Sequence, residues 1–263
     1  MTSTLLLSVL LFLLAVGSVH LTAADDAPRR YDLYLLIGQS NMAGRGPVDA
    51  ESAHVHPRVF ALSKAGVWES ARDPLHFDKP EAAVGPGFAF GQAIAAADAQ
   101  ANIGLIPCAV GGSAIAEWTP GGQEKYTKAF PYDDALRRTR LAQRSGTLKG
   151  IIWHQGEADR GLPQRTLYGE RLAQLVARLR SELQAPEVPF LAGELPMLDE
   201  RSRNSTTEFN RILASLTDKI PLFTCVPANN LTDKGDHLHL DTASAREFGQ
   251  RYATAFLKLR QNR

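Results

Sequence analysis

Three residues of this chain have the types needed for covalent ester chemistry: Ser40, Asp236 and His239. A serine hydroxyl is a weak nucleophile near neutral pH unless a base accepts its proton and a third group orients that base. Asp236 and His239 are three positions apart, and in a turn that enters a helix this spacing brings the carboxylate onto the imidazole Nδ1. The imidazole Nε2 would then be free to face Ser40. The residue types therefore predict a Ser-His-Asp triad.

Both ends of this predicted triad have a second interpretation. His237 could pair with Asp241, and spacing alone does not exclude this arrangement. We interpret Asp241 instead as the cap of the final helix, with Thr242 in its first turn, because aspartate is a preferred residue at that position. Ser40, together with Asn41, could simply cap a following helix. Whether Ser40 is a nucleophile or a helix cap depends on the other residues that the fold brings beside it.

Ester hydrolysis also requires hydrogen-bond donors for the developing oxyanion. The backbone N–H groups of Ser40 and of Gly111 or Gly112 are suitable, because glycine lets a backbone approach its ligand closely. The side-chain amide of Gln155 is a candidate for the third donor. Taken alone, two adjacent glycines are better explained as an ordinary tight loop.

Several polar residues near these candidates can also be interpreted as structural supports of the loops. Loop bracing through hydrogen bonds is the alternative interpretation for Gln155 and Glu157, and it is the preferred one for Asp159. Asn41 and Glu157 are expected to support either the substrate or the surrounding loops.

Buried strands would have to carry these residues to one place. Residues 31–37 are apolar except for Asp32 and end at a glycine, which is typical of a strand buried on both faces of a parallel sheet. The apolar stretches at 102–110 and 148–154 end at the Gly111 and Gln155 segments. Because carboxyl ends of parallel strands meet at one edge of the sheet, the candidate residues should converge there.

Strand and helix patterns alternate along the remainder of the chain. Further strands are predicted at 188–194 and 221–226, a small hairpin beside the main sheet at 59–62 and 67–69, and helices at 87–100, 133–145, 167–183, 205–216 and 241–259. Parallel strands need crossover connections, and both faces of their sheet must be covered. We therefore expect an α/β fold with a mostly parallel sheet of about five strands and helices on both faces.

The amino-terminal region has the features of an export signal. Residues 5–16 form an apolar run of the length of a signal-peptide core, and small residues at Thr22 and Ala24 place a cleavage site after Ala24. A retained membrane anchor is the alternative, because no Lys or Arg precedes the run. We expect residues 1–24 to be a signal peptide, residues 25–263 a single domain, and the protein to be secreted or periplasmic.

Composition excludes several classes of partner. The net charge of +1, with acids and bases interspersed, argues against nucleic acid and against a membrane partner after signal removal. Cys108 and Cys225 do not make a disulfide framework, and buried thiols are favoured over a bridge. The histidines form no motif such as His-Glu-x-x-His, so neither a catalytic metal nor another cofactor is expected.

Four polar blocks appear in order along the chain: Gly38-Gln39-Ser40-Asn41, Gly111-Gly112-Ser113, His154-Gln155-Gly156-Glu157 and Asp236-His237-Leu238-His239. They resemble the four blocks of the SGNH hydrolase superfamily, and more narrowly its sialate O-acetylesterase and acetyl xylan esterase branch, carbohydrate esterase family six. The resemblance covers nearly the whole mature chain. Gln155 stands where the wider superfamily has asparagine, a change that this branch shares.

The resemblance implies a flavodoxin-like, three-layer α/β/α fold and a metal-free serine esterase that removes acetyl groups from sugars. It assigns Ser40 as the nucleophile, His239 as the base and Asp236 as the group that orients the base. The oxyanion hole would consist of the Ser40 N–H, a Gly111 or Gly112 N–H and Gln155, as residue types had suggested.

Two rival functions use the same fold. A non-catalytic glycan-binding module would lack a nucleophile, base or orienting acid, and all three are present. An esterase for lipid or small aryl esters should show an apolar lid, whereas the loops at 42–56 and 114–131 are polar and rich in glycine. The resemblance therefore implies an acetylated oligo- or polysaccharide as the substrate, with acetylated xylan, acetylated sialic acid and another acetylated sugar as open alternatives. Trp118 and Tyr126 are candidates for stacking on sugar rings, although core packing explains Trp118 equally well.

Overall fold

The computed structural model describes residues 30–261 of the chain. The predicted signal peptide at residues 1–24 lies outside the described residues. Among the helices of residues 30–261, none is both long and apolar enough to cross a membrane.

A seven-stranded sheet forms the centre of the molecule. Its strands are β1 (Tyr31–Gly38), β2 (Val59–Leu62), β3 (Trp68–Ser70), β4 (Ile103–Pro107), β5 (Gly146–His154), β6 (Phe190–Gly193) and β7 (Phe223–Val226). Their order is β3-β2-β4-β1-β5-β6-β7, and every neighbouring pair is parallel except β2 with β3. The expected count of about five strands is too low. The predicted hairpin joins the same sheet, because β2 pairs along β4.

In the described part of the chain, six α-helices connect and flank these strands: α1 (Ser40–Ala43), α2 (Pro86–Ala97), α3 (Pro131–Ala142), α4 (Gln164–Glu182), α5 (Arg203–Ala214) and α6 (Thr242–Gln261). The five longer ones correspond to the helices predicted from the sequence. Helix α3 begins two residues earlier than expected, because proline fits the first turn of a helix, where its missing N–H has no partner to lose.

The alternation of side chains along β1 explains the three layers. Leu33, Leu35 and Ile37 pack in a core with residues of α3, α4 and α5, whereas Tyr34 and Leu36 pack on the other face with residues of α2 and α6. All five side chains are fully buried. A strand covered on both faces must be apolar throughout, which is the pattern that the sequence showed. The three-layer α/β/α fold is thereby confirmed.

Strand β1 lies between β4 and β5, so the chain builds the sheet outward first on one side and then on the other. Ligands of such sheets bind at the carboxyl ends of the strands where the order reverses. Gly38 ends β1 at this point with φ of +130°, and a Cβ there would lie 2.0 Å from the carbonyl oxygen of His154. Only glycine allows β1 to turn so close to β5, and the next residues enter the crevice.

Candidate active site

The three residues predicted as a triad form a continuous hydrogen-bonded series. Ser40 is the first residue of α1, two positions after the end of β1, and its Oγ lies 3.1 Å from Nε2 of His239. Nδ1 of His239 lies 2.7 Å from Oδ2 of Asp236. The imidazole therefore has one ring nitrogen on a carboxylate and the other on a hydroxyl. This arrangement can transfer the hydroxyl proton to the ring and stabilise the resulting positive charge.

The loop between β7 and α6 shapes the histidine end of the site. Oδ1 of Asp236 accepts hydrogen bonds from the backbone N–H groups of Leu238, at 3.0 Å, and His239, at 2.8 Å. Burial by itself would raise the pKa of Asp236, but the hydrogen bonds from the His239 backbone, the His239 ring and Leu238 outweigh it and lower the pKa to about 2. Asp236 is therefore ionised at any pH near neutrality.

The alternative pair of His237 and Asp241 does not form. The side chain of His237 is exposed, and its Nδ1 lies 3.8 Å from Oδ2 of Asp233. Oδ1 of Asp241 accepts the N–H of Ser244 at 2.7 Å, in the first turn of α6. Asp241 thus caps the helix, as its position after a turn suggested.

Asn41 connects the nucleophile segment to two other loops. Its Nδ2 donates to Oε1 of Glu157 at 2.6 Å and to the carbonyl of Leu238 at 3.1 Å, and its Oδ1 accepts the N–H of Leu240 at 3.0 Å. These contacts hold the loop that carries His239 against the residue next to Ser40. The expectation that Asn41 and Glu157 support the loops agrees with this geometry, and Glu157 also lines the cleft.

The backbone N–H groups predicted to form the oxyanion hole differ in whether they already have a hydrogen-bond acceptor. The N–H of Gly111 donates to Oδ2 of Asp78 at 2.8 Å, so Gly111 is not a free donor and that part of the expectation is wrong. The N–H of Gly112 and that of Ser40 have no acceptor within residues 30–261. Both residues line the cleft. Two unpaired backbone donors therefore belong to residues that line the same cleft as the Ser40 hydroxyl.

Gln155 does not reach the cleft, contrary to its expected role as the third donor. Its side chain is fully buried, and Nε2 donates to Ser113 O at 3.1 Å, Gln39 Oε1 at 3.2 Å and Asp159 Oδ2 at 2.6 Å. Asp159 also accepts the N–H of Ile115 at 2.9 Å, and burial raises the pKa of Asp159. Gln155 and Asp159 therefore brace the loops beneath the site.

Gln39 is the residue that sequence reasoning missed. It lines the cleft beside Ser40, and its Oε1 is held by Gln155. Its own Nε2 makes no hydrogen bond within the part of the chain that the structure describes. A side-chain amide with its oxygen fixed and its nitrogen unpaired is oriented as a donor. The available signal was its position, directly before Ser40 in the first polar block.

The cleft above Ser40 has a volume of about 520 Å³, and both charged side chains and apolar surface line it. Besides the residues already described, Arg45, Lys79, Glu81, Ala158 and Lys234 line it.

The aromatic residues expected at the substrate site lie elsewhere. Trp118 is 1% exposed, donates from Nε1 to Ser113 Oγ at 3.0 Å and packs edge-on against Trp153. It is a core residue, so its expected stacking on sugar rings is wrong. Tyr126 is 70% exposed and does not line the cleft. Trp118 follows a glycine-rich turn and Trp153 lies within β5, and both rings pack in the same core between the sheet and the helices.

The described residues include no metal-binding cluster and no disulfide. Among residues 30–261, no group of three or more His, Cys, Asp and Glu side chains is arranged to hold a metal ion. The thiols of Cys108 and Cys225 are both free. Burial raises the pKa of Cys108 to about 11, so this thiol stays protonated.

Comparisons with known proteins agree with this geometry. A family model described as carbohydrate esterase, sialic acid-specific acetylesterase, matches residues 30–258. A probable carbohydrate esterase from Arabidopsis thaliana is 31% identical over 253 residues, which cover 86% of this chain and 90% of that protein.

Solved structures show the same architecture. A protein from Arabidopsis thaliana superposes with a TM-score of 0.76 at 30% identity, covering 87% of this chain and 98% of its own. NanS has a TM-score of 0.70 at 19% identity, with 90% and 99% covered. A carbohydrate acetylesterase from Xanthomonas citri has a TM-score of 0.68 at 21% identity, with 88% and 57% covered. The last two likenesses concern the fold.

Proposed function

Because this chain belongs to the sialic acid-specific acetylesterase family of carbohydrate esterases, we propose that it removes O-acetyl groups from carbohydrates through Ser40, His239 and Asp236. Family membership makes the protein a carboxylic ester hydrolase whose substrates are acetylated carbohydrates. The observation that supports the triad is the series of contacts from Ser40 Oγ through the His239 ring to Asp236, at 3.1 and 2.7 Å.

In the acylation step, Ser40 Oγ attacks the acetyl carbonyl carbon while His239 Nε2 accepts the hydroxyl proton. Asp236 holds the Nδ1 proton, which fixes the tautomer that can accept at Nε2, and it stabilises the imidazolium. The imidazolium then gives its proton to the sugar oxygen as the ester bond breaks. The products of this step are the free sugar hydroxyl and an acetyl group on Ser40.

Deacylation repeats the same transfers with water. His239 Nε2 accepts a proton from a water molecule as its oxygen attacks the acetyl carbon, and then returns that proton to Ser40 Oγ. Acetate leaves and the enzyme is restored.

Three donors serve the oxyanion in both steps: the N–H groups of Ser40 and Gly112 and the Nε2 of Gln39. Donors of this kind act in the transition state more than in the ground state, because they are aimed at charge that develops during the reaction. In this proposal Gln155 acts indirectly, since it fixes the amide of Gln39 through the 3.2 Å hydrogen bond to Oε1.

The lining of the cleft supports a sugar as the alcohol part of the ester. Lys79, Glu81, Glu157 and Lys234 line the cleft and offer charged groups for the hydroxyl or carboxylate substituents of a sugar. An acetylated oligo- or polysaccharide, of the xylan or sialate type, fits these groups. We also propose export, which rests on the apolar run at residues 5–16.

Measurement of acetate release from a panel of acetylated sugars tests the proposal. The mature chain and its Ser40→Ala variant would be incubated with acetylated xylo-oligosaccharides, O-acetylated sialic acid and a monoacetylated hexose. We expect release from at least one sugar by the unaltered chain and none above background by the variant. Equal release by both proteins, or activity on lipid esters alone, would contradict the proposal.

A further inference from the structure

A buried ion pair connects the nucleophile segment to the glycine turn at the oxyanion site. Asp78 Oδ2 accepts hydrogen bonds from Arg45 Nη2 at 2.7 Å and from the N–H of Gly111 at 2.8 Å. The side chains of Asp78 and Arg45 are 1% and 6% exposed. One carboxylate oxygen therefore joins residues from two separate loops.

The Arg45–Asp78 ion pair is linked at one end to the Ser40 segment and at the other to the Gly112 N–H, which both act in the proposed mechanism. Arg45 follows Gly44, whose N–H donates to the carbonyl of Ser40 at 2.9 Å, and Arg45 Nη1 donates to the carbonyl of Gly44 at 2.7 Å. At the other end, Gly111 immediately precedes Gly112, whose N–H is unpaired and lines the cleft. The ion pair therefore spans from the start of α1 to the oxyanion donor.

The ion pair leaves no room for a side chain at position 111 unless Arg45 and Asp78 shift. A Cβ there would lie 2.5 Å from Arg45 Nη2 and 2.8 Å from Asp78 Oδ2. The ion pair thus packs directly on the backbone of the turn. Because the peptide N–H of Gly111 is fixed by a charged acceptor, the following peptide group, which carries the Gly112 N–H, loses much of its freedom to rotate.

We propose that Asp78 is a positioning residue: with Arg45, it fixes the Gly111–Gly112 turn so that the Gly112 N–H is aimed at the oxyanion. The inference rests on the proposed esterase function. It assigns Asp78 no contact with substrate, because Asp78 lies behind the turn and does not line the cleft. Its effect belongs to the transition state, since only the developing oxyanion uses the donor that Asp78 orients.

The test compares Asp78→Ala and Asp78→Asn with the unaltered chain on p-nitrophenyl acetate. We expect Asp78→Ala to lower kcat about 100-fold, as loss of an oxyanion donor does, with KM changed less than about threefold. Asp78→Asn should recover part of the lost kcat, because the amide oxygen can still accept the Gly111 N–H. Asp49→Asn, which breaks the Arg246–Asp49 ion pair outside the cleft, is the matched control and should keep full activity.

Thermal melts and Ser40→Ala complete the design. If Asp78→Ala is unfolded at the assay temperature, the kinetics of Asp78→Asn decide. An unchanged kcat in Asp78→Asn overturns the inference, and so does a fall in kcat/KM that comes as much from a higher KM as from a lower kcat. If Ser40→Ala is inactive while both folded Asp78 variants turn over like the unaltered chain, only the positioning inference fails. If Ser40→Ala retains activity, the esterase mechanism fails and the inference fails with it.

Discussion

His239 Nε2 lies 3.1 Å from Ser40 Oγ, although the two residues are 199 positions apart in the chain. The same distance along the chain separates Asn41 from Leu240, and Asn41 Oδ1 accepts the N–H of Leu240 at 3.0 Å. The loop before α6 is therefore bonded to the start of α1 at two successive positions. This double attachment fixes the imidazole relative to the hydroxyl without help from a neighbouring strand.

The proposed triad predicts the effect of removing either partner of this contact. Ser40→Ala or His239→Ala should lower kcat for an aryl acetate by several powers of ten, with the melting temperature nearly unchanged. His237→Asn is the matched control, because His237 is exposed and asparagine tolerates its φ of +57°. If His237→Asn were inactive and His239→Ala active, the base would be His237, and the assignment of His239 would be rejected.

Asp236→Asn should impair His239 by removing the carboxylate that orients its ring. The asparagine amide stabilises the wrong imidazole tautomer, so kcat should drop by up to about 10⁴-fold while KM changes little. The measurement is steady-state kinetics beside Asp233→Asn, which alters the carboxylate near the exposed His237. A similar loss in both variants would indicate a general effect of the loop charge.

The groups beside Ser40 predict a preference for short acyl groups. The acyl group must fit between Ser40, Gln39 and the Gly111–Gly112 turn, which line the cleft, and adding methylenes to a packed site costs on the order of 1–3 kcal/mol, or roughly one to two powers of ten in rate. The expected result is a steep fall in kcat/KM from acetyl to butyryl p-nitrophenyl esters and little activity on octanoyl esters. Octanoyl esters as the best substrates would favour a lipid esterase.

The two glutamines beside the site should respond differently to truncation. Gln39→Ala should lower kcat about 100-fold, with little change in KM or melting temperature, because it removes a donor that acts in the transition state. Gln155→Ala should also lower the melting temperature, since it removes the buried hydrogen bonds to Ser113 O, Gln39 Oε1 and Asp159 Oδ2 and leaves the Gln39 oxygen unpaired. Unchanged kcat in Gln39→Ala would remove Gln39 from the oxyanion hole.

A last prediction concerns stability rather than activity. Burial raises the pKa of Asp73 to about 7, so folding favours its protonated form. The stability that this group contributes is complete below the unfolded pKa of about 4 and is lost as pH rises toward 7, by roughly 4 kcal/mol at most. Asp73→Asn should therefore raise the melting temperature relative to the unaltered chain more at pH 8 than at pH 4. Asp218→Asn, at an exposed carboxylate, is the control, and an identical shift in both variants would contradict the burial effect.

The sequence by itself was sufficient for the architecture and for the identity of the candidate triad. The apolar stretch at 31–37 predicted a strand buried on both faces, and the structure has β1 there, covered on both sides. Such predictions succeed because the alternation of buried faces and the edge at which parallel strands end are properties of local pattern and topology. Ser40 and His239 could be named for the same reason, since their residue types and positions after strands are visible without coordinates.

Tertiary structure decided which of the neighbouring polar groups face the cleft. Gly111 and Gly112 are indistinguishable in sequence, but the 2.8 Å contact with Asp78 occupies one N–H and leaves the other free. Gln155 and Trp118 follow the expected strands and turns, yet both side chains point into the interior. A residue's place along the chain does not determine the direction of its side chain after an irregular turn. That direction depends on contacts with loops far away in sequence, and these exist only once the whole sheet is folded.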